Sequence, residues 1–533
     1  MRWAICALAA ALVQAIWVHA AEPAEGPEVK PILEKLGVTL KVTERPAWPK
    51  PPATTVEVAL VPQVDEEGTH VVSFGLPFGP GWLGDDKQIR VTGADGQEVP
   101  VFTKPLVSWW IDRKQGSLRS VIVQFEASFK DKTPQKATVA WDKPRAKSRP
   151  AMTPIAETQV KRHVEPPGDY KTKADAYDFQ CPKVLALLPP EWLCASLVVW
   201  QQVPAKENRV APWFDKHLVE KFDYSTRNTS ANQSAFEAHL FDRPATYVKV
   251  YARHGDAKYL LASIQAADFY IQHLDPRGFL NVKKGSDHKY TYTEGPALAY
   301  MLTGDERFRE AIERGIKCWD TWRAIEYRGK GFWTERHAGF GMMAYLHAYE
   351  VSGDPKLLDK AKQYFDAVLS MQVKPVDGGE PDGAWVHRAD DHGDGNGWTT
   401  SPWMSAFLTD AIWKYWMLTG DPRAPASLAM YAKFTEKHAV TPDGKSTYYM
   451  ANSPGRGKSE DGGGPEHNVE GVYLLALGHY LSGGADEAYL KKIETLWPPV
   501  MQDGANNPGR KFTWRFRETS TLIWLLSHAK AGP

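Results

Sequence analysis

A short segment ending in Gly-Asp recurs along the C-terminal half of this chain and limits what the chain can fold into. Tyr251-Ala-Arg-His-Gly-Asp256, Tyr300-Met-Leu-Thr-Gly-Asp305, Tyr349-Glu-Val-Ser-Gly-Asp354 and Trp416-Met-Leu-Thr-Gly-Asp421 carry it, and Tyr480-Leu-Ser-Gly-Gly484 is a degenerate copy. Glycine stops a helix by turning left-handed. The aspartate then caps the next helix by accepting from its free N–H groups. Apolar and aromatic residues recur at helical spacing on either side, so the unit is a helical hairpin. The first three steps lie 49 residues apart, and the next is longer because residues 373–400 intervene. Such a hairpin buries its apolar face only by stacking on neighbours. The marked hairpins and a last helix over Glu518–Lys530 suggest six inner helices. The expectation for residues 231–533 is an (α/α)6 toroid, with an open solenoid as the alternative. Closure needs one more outer helix, for which Lys206–Lys221 is the candidate.

Ahead of the repeats the period is two. Thr55–Val61, His70–Phe74, Gln88–Thr92, Ser120–Phe125 and Thr138–Trp141 read as strands, separated by turns such as Gly79–Gly81 and Ala94–Gly96. Residues 54–142 are expected to form an N-terminal antiparallel β domain. Residues 143–230 read as a connector: a basic, proline-rich run over Lys143–Pro150, then short strands around Lys183–Leu188 and Cys194–Val203. Residues 21–53 read as a linker or strap with one helical piece around Pro31–Leu36. Residues 1–20 have the charge, the apolar run Ala4–Val18 and the small residues near Ala20 of a cleaved signal peptide. The expectation is a secreted or periplasmic protein, with an uncleaved anchor as the alternative. The fold class is thus β plus α, an antiparallel β domain followed by the toroid.

Composition narrows the partners. Lys+Arg and Asp+Glu are equal at 64 each, so charge points neither to nucleic acid nor to an anionic membrane. The 21 Trp, 21 Tyr and 20 Phe exceed what most cores need. Core packing accounts for most of them, and stacking on sugar faces is the other use of such rings.

Phe74-Gly-Leu-Pro-Phe-Gly-Pro-Gly-Trp-Leu83 is followed by Arg90-Val-Thr-Gly-Ala-Asp-Gly-Gln-Glu-Val-Pro100. Trp109 or Trp110 then leads to Gly116-Ser-Leu-Arg-Ser-Val121. These segments resemble the N-terminal barrel-like β domain of the exo-rhamnogalacturonan lyase family. The likeness covers about ninety residues and, more loosely, the helical half. It departs at Asp112–Gly116, where a longer insert precedes Gly-Ser, and the chain has little room for the further β-sandwich usual in that family. The resemblance implies a polysaccharide lyase that cleaves an acidic, uronate-containing glycan by β-elimination.

In a ring of hairpins, the loops leading into the inner helices gather at one end of the central cavity. Here they are Ser234–His239, Tyr290–Glu294, Trp333–His337, Trp398–Trp403, Glu466–Asn468 and Trp514–Arg517. β-Elimination needs a cation on the uronate carboxylate, a base for the adjacent proton and an acid for the leaving oxygen. Arg336, Arg515 or Arg517 suits the first task, His337 or His467 the second, and Tyr290 or Tyr292 the third. His239, Trp333, Glu335, Trp385, His387, Trp398, Trp403, Glu466 and Asn468, with Arg515 and Arg517, are the candidate substrate contacts. Hydrolysis would instead use two carboxylates, Glu335 with Glu466, Glu294 or Asp410. A non-catalytic glycan-binding protein is the third reading. Glutamates at helix starts also serve as caps, and Thr334, Thr399 and Ser401 read equally well as plain N-caps.

The insertion Asp377–Gly397 is acidic and glycine-rich. It reads as a surface loop or a lid with Trp385 and His387 as sugar contacts. Calcium at Asp390, Asp391 and Asp394 is possible in chemistry but not in EF-hand spacing, because His392 stands where Asp or Asn belongs. No zinc spacing occurs, and no cofactor is expected. Cys181 and Cys194 either pair across a short loop or, with Cys318, remain buried thiols.

Overall fold

The computed structural model describes residues 29–165, 176–226, 240–281, 286–325, 327, 333–392, 397–460, 465–502 and 508–529. The signal-peptide segment 1–20, His239 and Asp394 lie outside them. A helix, α1 (Val29–Leu36), precedes the β region.

Ten strands follow: β1 (Thr55–Pro62), β2 (Gly68–Pro77), β3 (Arg90–Thr92), β4 (Glu98–Val99), β5 (Val101–Ile111), β6 (Lys114–Phe129), β7 (Gln135–Ala140), β8 (Gln159–Val164), β9 (Tyr177–Pro182) and β10 (Val184–Leu187). They form an antiparallel sheet in the order β10-β1-β7-β3-β4, a second in the order β2-β6-β5, and the pair β8-β9. β1 buries Val56, Val58, Leu60 and Pro62, the alternation its sequence predicts. β5 is absent from the sequence reading. Pro105 cannot donate to a ladder, and the strand accommodates it beside a register shift between Pro105 and Val107. β5 and β6 are joined by Asp112 and Arg113, both left-handed (φ 53° and 62°), a two-residue hairpin turn. The strand expected over Cys194–Val203 is instead the end of a short helix, α2 (Pro190–Ala195), followed by irregular chain, because Pro189 and Pro190 start a helix there.

The remaining helices are α3 (Pro212–Thr226), α4 (Arg243–His254), α5 (Ala257–Gln272), α6 (Glu294–Thr303), α7 (Glu306–Trp319), α8 (Glu335–Ser352), α9 (Pro355–Val373), α10 (Pro402–Thr419), α11 (Arg423–Phe434), α12 (Asn468–Leu481), α13 (Glu487–Gln502), α14 (Pro508–Phe516) and α15 (Leu522–His528). α4 packs on α6, α6 on α8, α8 on α10, α10 on α12 and α12 on α15. α14, which leads into α15, packs on α4 and completes the circle. The helices after each Gly step lie outside: α5, α7, α9, α11 and α13, with α3 against α14. Burial separates the two layers. Every residue of α12 is buried, whereas α7 buries one stripe, Phe308, Ala311, Ile312, Gly315, Cys318 and Trp319.

The inner helices α4, α6, α8 and α10 stop at Gly255, Gly304, Gly353 and Gly420, all left-handed (φ 65° to 77°). Three of these stops rest on the β region. Ser120 Oγ donates to Met301 O at 2.6 Å, Asp112 N to Leu418 O at 2.9 Å, and Gly353 abuts the Trp110 ring. Arg119 and Glu350 form a buried ion pair at 2.6 Å across the same junction, and Trp200 Nε1 donates to Glu350 at 3.0 Å. The β region thus covers the C-terminal ends of the inner helices and leaves their N-terminal ends facing away.

Cys181, Cys194 and Cys318 are three separate buried thiols. Among the described residues, no helix is long and apolar enough to cross a membrane.

Candidate active site

Each inner segment of the ring brings one acid to its N-terminal side. Asp242 caps α4. Glu294 and Glu335 open α6 and α8, Asp410 lies two turns into α10, Glu470 lies in the first turn of α12, and Glu518 precedes the turn into α15. None of the six is more than 5% exposed. Carboxyl groups are seldom enclosed to that degree, so their partners decide what each one does.

Glu294 is the best partnered. Arg517 Nη2 donates to it at 2.6 Å and Lys414 Nζ at 2.7 Å, and Lys249 Nζ lies 3.3 Å away. Burial alone would raise its pKa. Lys249, Lys414 and Arg517 outweigh burial and hold the carboxyl well below the ordinary range. Arg517 also reaches Asp410 at 3.2 Å. Asp242 differs. Its carboxyl accepts from Ala245 N at 3.2 Å and Gly295 N at 3.0 Å, and no cation touches it among the described contacts. Burial first, and then the charge of Glu294, push its pKa up to about 6. Phe241 and Asp242 are both left-handed (φ 72° and 57°), strain that a non-glycine pair carries only where the surroundings impose it.

Between these carboxyls lies a narrow void of about 10 Å³, lined by Asp242, Tyr292, Glu294, Phe340, His347 and Arg517 with Thr291, Thr293 and Met343. His347 accepts from Lys414 Nζ on Nε2 at 3.3 Å and meets Thr293 Oγ1 through Nδ1 at 3.2 Å. Burial and the Lys414 charge hold it well below the usual imidazole range, so the ring is neutral. Burial raises the Tyr292 phenol well above its ordinary value, and Phe241 N donates to it at 2.7 Å.

Over the adjoining sector lies an aromatic layer. Trp403 stacks on His467 at 5.0 Å and meets Trp514 at 6.1 Å and Phe241 at 6.2 Å. The Arg336 guanidinium lies 5.3 Å from the Trp403 ring.

The sequence-predicted residues fall into distinct places. Arg517 and Tyr292 line the void, and Arg336, Trp403 and His467 belong to the aromatic layer. Arg515 donates to the backbone of Glu466 at 3.1 and 3.3 Å. Tyr290 is buried, and its carbonyl accepts from Tyr270 at 3.0 Å. His337 is buried, stacked 5.0 Å from Trp322, with Nδ1 at 2.7 Å from its capping Thr334. Burial and Arg336 hold it well below the usual imidazole range. Glu335 is wholly buried and faces the insertion, not the void: one oxygen accepts from His387 and Thr400 at 3.0 Å and from Ser401 N at 3.3 Å. Trp385 is wholly buried, stacked 4.4 Å from Tyr431, and Trp333 is wholly buried 6.1 Å from His387. Trp398 is half-buried beside Tyr327 at 5.8 Å. Asn468 spends its amide on Thr447 N, Lys445 O and Leu496 O. Asp390 pairs with Arg388 at 2.6 Å. Among the described residues no group of three or more His, Cys, Asp or Glu is placed to hold a metal.

Sequence reading overlooked Asp242, Lys249, His347, Lys414, Glu470 and Glu518. For the lysines a signal existed. Tyr247-Val-Lys-Val-Tyr251 and Ile412-Trp-Lys-Tyr-Trp416 each set one lysine inside an apolar helix. A lysine there needs a buried carboxylate.

Comparisons with known proteins add likenesses of low degree. No family model matches the chain, and no curated protein matches it. Among solved structures, the chain is similar to a glycosyl hydrolase family 88 protein from Bacteroides vulgatus, at 14% identity and a TM-score of 0.40 over 58% of this chain and 99% of that one. It is also similar to an unsaturated glucuronyl hydrolase specific for heparin, at 12% identity and a TM-score of 0.43 over 59% and 97%. A polysaccharide lyase follows at 14% identity and a TM-score of 0.36 over 54% and 90%. The family resemblance drawn from the β segments is not matched by any of these three. Identities and scores this low leave the reading to the chain's own residues.

Proposed function

We propose that the chain is a glycan-cleaving enzyme of the β-domain and (α/α)6-toroid kind, exported from the cytoplasm and acting at the N-terminal side of its ring. The observation that carries this reading is the pair Asp242 and Glu294. The two carboxyls border one void, and their surroundings push their pKa values apart. Glycoside hydrolysis asks for that division: one acid that keeps its proton to give to the leaving oxygen, and one carboxylate that stays charged beside the sugar. Asp242 suits the first role. Glu294 suits the second, facing the positive charge that grows on the sugar ring.

A second reading, β-elimination from a uronate-containing glycan, is supported by three other groups on the same void. Neutral His347 is a base, the Tyr292 phenol an acid, and Arg517 a cation for a carboxylate. Incubation with pectin-derived, ulvan-type, alginate-type and neutral glycans separates the two. New reducing ends without a rise in ultraviolet absorbance mean hydrolysis, and a rise means elimination. Binding without either signal would leave a glycan-binding protein and overturn both.

A further inference from the structure

Asp242 and Glu294 provide an acid and a fixed negative charge, but no base. Glu294, bound by three cations, is too weak a base to take a proton from water. On the same N-terminal side, α12 and the turn into α15 hold groups that the chemistry above leaves unused. Glu470 and Glu518 are wholly buried, and among the described residues none of their four carboxyl oxygens has a hydrogen-bond partner. Enclosing a carboxyl without partners is unfavourable, and an apolar side chain of the same size would fold more stably at either position. The pair therefore calls for an explanation beyond folding.

His467 supplies one. It precedes α12, one turn before Glu470, and is 7% exposed. Its ring is wedged by Trp403 at 5.0 Å, Trp514 at 5.3 Å and Tyr449 at 5.6 Å. Among the described residues the enclosed Nδ1 has no hydrogen-bond partner, and it lies 4.0 Å from Glu470 Oε1. A shift of about 1 Å turns that separation into a hydrogen bond. A carboxylate on Nδ1–H fixes the tautomer in which Nε2 is the basic nitrogen, and it stabilises the imidazolium once Nε2 has taken a proton. Glu518 settles which carboxyl carries the charge. Burial first, and then Glu470, push the Glu518 pKa well above the carboxylate range. Glu518 therefore favours its protonated form, and Glu470 is the carboxyl that faces His467. Arg517, Asp410 and Tyr473 are the other groups bearing on Glu518.

We propose that Glu470 is a positioning residue for His467, and that His467, backed by Glu470 and Glu518, is the base that activates water for the bond whose leaving oxygen Asp242 protonates. The inference rests on the hydrolytic reading. In the step it describes, water gives a proton to His467 Nε2 as its oxygen bonds to the sugar carbon. The glycosidic C–O bond breaks with its electron pair on the leaving oxygen, which takes the Asp242 proton. Atoms and charge balance without a further reactant.

The test uses the full chain as wild type, Glu470→Gln, Glu470→Asp, Glu518→Gln and His467→Asn, with thermal unfolding confirming that each variant folds. Two quantities are read. The first is the titration midpoint of His467 by NMR of 13C-histidine-labelled protein, assigned by the signal missing from His467→Asn. The second is kcat/KM against pH on whichever glycan of the panel is cleaved. Glu470→Gln is expected to lower the His467 midpoint by about one pH unit or more, since the imidazolium loses its anion. The acidic limb of kcat/KM should move with it, and kcat should fall about a hundredfold with KM little changed. Glu470→Asp should restore part of the midpoint, and Glu518→Gln, which keeps a neutral neighbour, should shift it little. An unmoved midpoint in Glu470→Gln overturns the positioning role whether or not any glycan is cleaved. A shifted midpoint in a chain that cleaves no glycan overturns the hydrolytic reading and leaves the pairing standing. A shifted midpoint with an unmoved kcat/KM limb overturns His467 as the base.

Discussion

The same inner helices end in two different ways. At their C-terminal ends, Gly304, Gly353 and their counterparts stop the helix by local backbone geometry, and the exposed carbonyls meet the β region, as Met301 O meets Ser120. At their N-terminal ends the chain places Asp242, Glu294, Glu470 and Glu518 in enclosure, two of them with no hydrogen-bond partner among the described residues. One end is built for stability. The other encloses carboxyls that stability alone would not have placed there. The contrast assigns architecture to the end that rests on the β region and chemistry to the end that gathers the carboxyls, and it can be tested from both sides.

The largest effect is expected at the N-terminal end. Asp242→Asn should lower turnover by about 10²–10⁴-fold, the usual worth of a positioned acid. The wild-type rate should fall as pH rises through about 6, where Asp242 loses its proton, and the variant should lack that limb. The substitution should move stability the other way from turnover. The folded pKa is raised above the ordinary aspartate value of 3.8, so the native state binds this proton more tightly than the unfolded chain does. The resulting loss of stability begins above pH 3.8 and is complete above about 6. Asn removes a penalty of up to about 3 kcal/mol at neutral pH, less whatever Gly295 N loses as its acceptor. Thermal melts at pH 4 and pH 7.5 measure the difference, and equal shifts at both would contradict it.

At the opposite end, Arg119→Ala leaves Glu350 as a buried charge without its cation. About 3–5 kcal/mol of stability should be lost, with turnover per folded molecule unchanged, as denaturant titration and active-site normalised assays would report. A smaller effect distinguishes two glycine stops. Gly353→Ala and Gly420→Ala both force a left-handed alanine, worth roughly 1–2 kcal/mol. Only at Gly353 would the new methyl also collide with a ring, that of Trp110, while at Gly420 it meets nothing nearer than 3.7 Å. Gly353→Ala should therefore melt lower than Gly420→Ala, and equal melting would weaken the placement of the helix ends on the β region. Smallest of all, a thiol reagent should leave the native protein unlabelled at Cys181, Cys194 and Cys318, because burial raises all three thiol pKa values, and should label all three on unfolding. Failure to label Cys181 and Cys194 after unfolding would reveal the disulfide.

Much of the fold was legible because its rules are local. A left-handed glycine, an aspartate cap and an alternating strand each depend on a few neighbours along the chain. What escaped was decided by distant partners. β5 tolerates Pro105 only because β6 pairs around it. Glu335 and Asn468 stand where a site was expected, yet they hold the insertion and the 445–447 segment in place. His387 and Trp385, read as sugar contacts, are enclosed within the insertion itself.

The sequence by itself determined the hairpins, their glycine stops, the β region ahead of them and the aromatic and acidic character of the helix starts. Only the tertiary structure decided which acids meet cations and which meet each other. Glu294 lies 223 residues from Arg517 and 120 from Lys414. The charge state of a buried carboxyl depends on what stands within a few ångströms of it in space, and closing the ring is what brings those residues together.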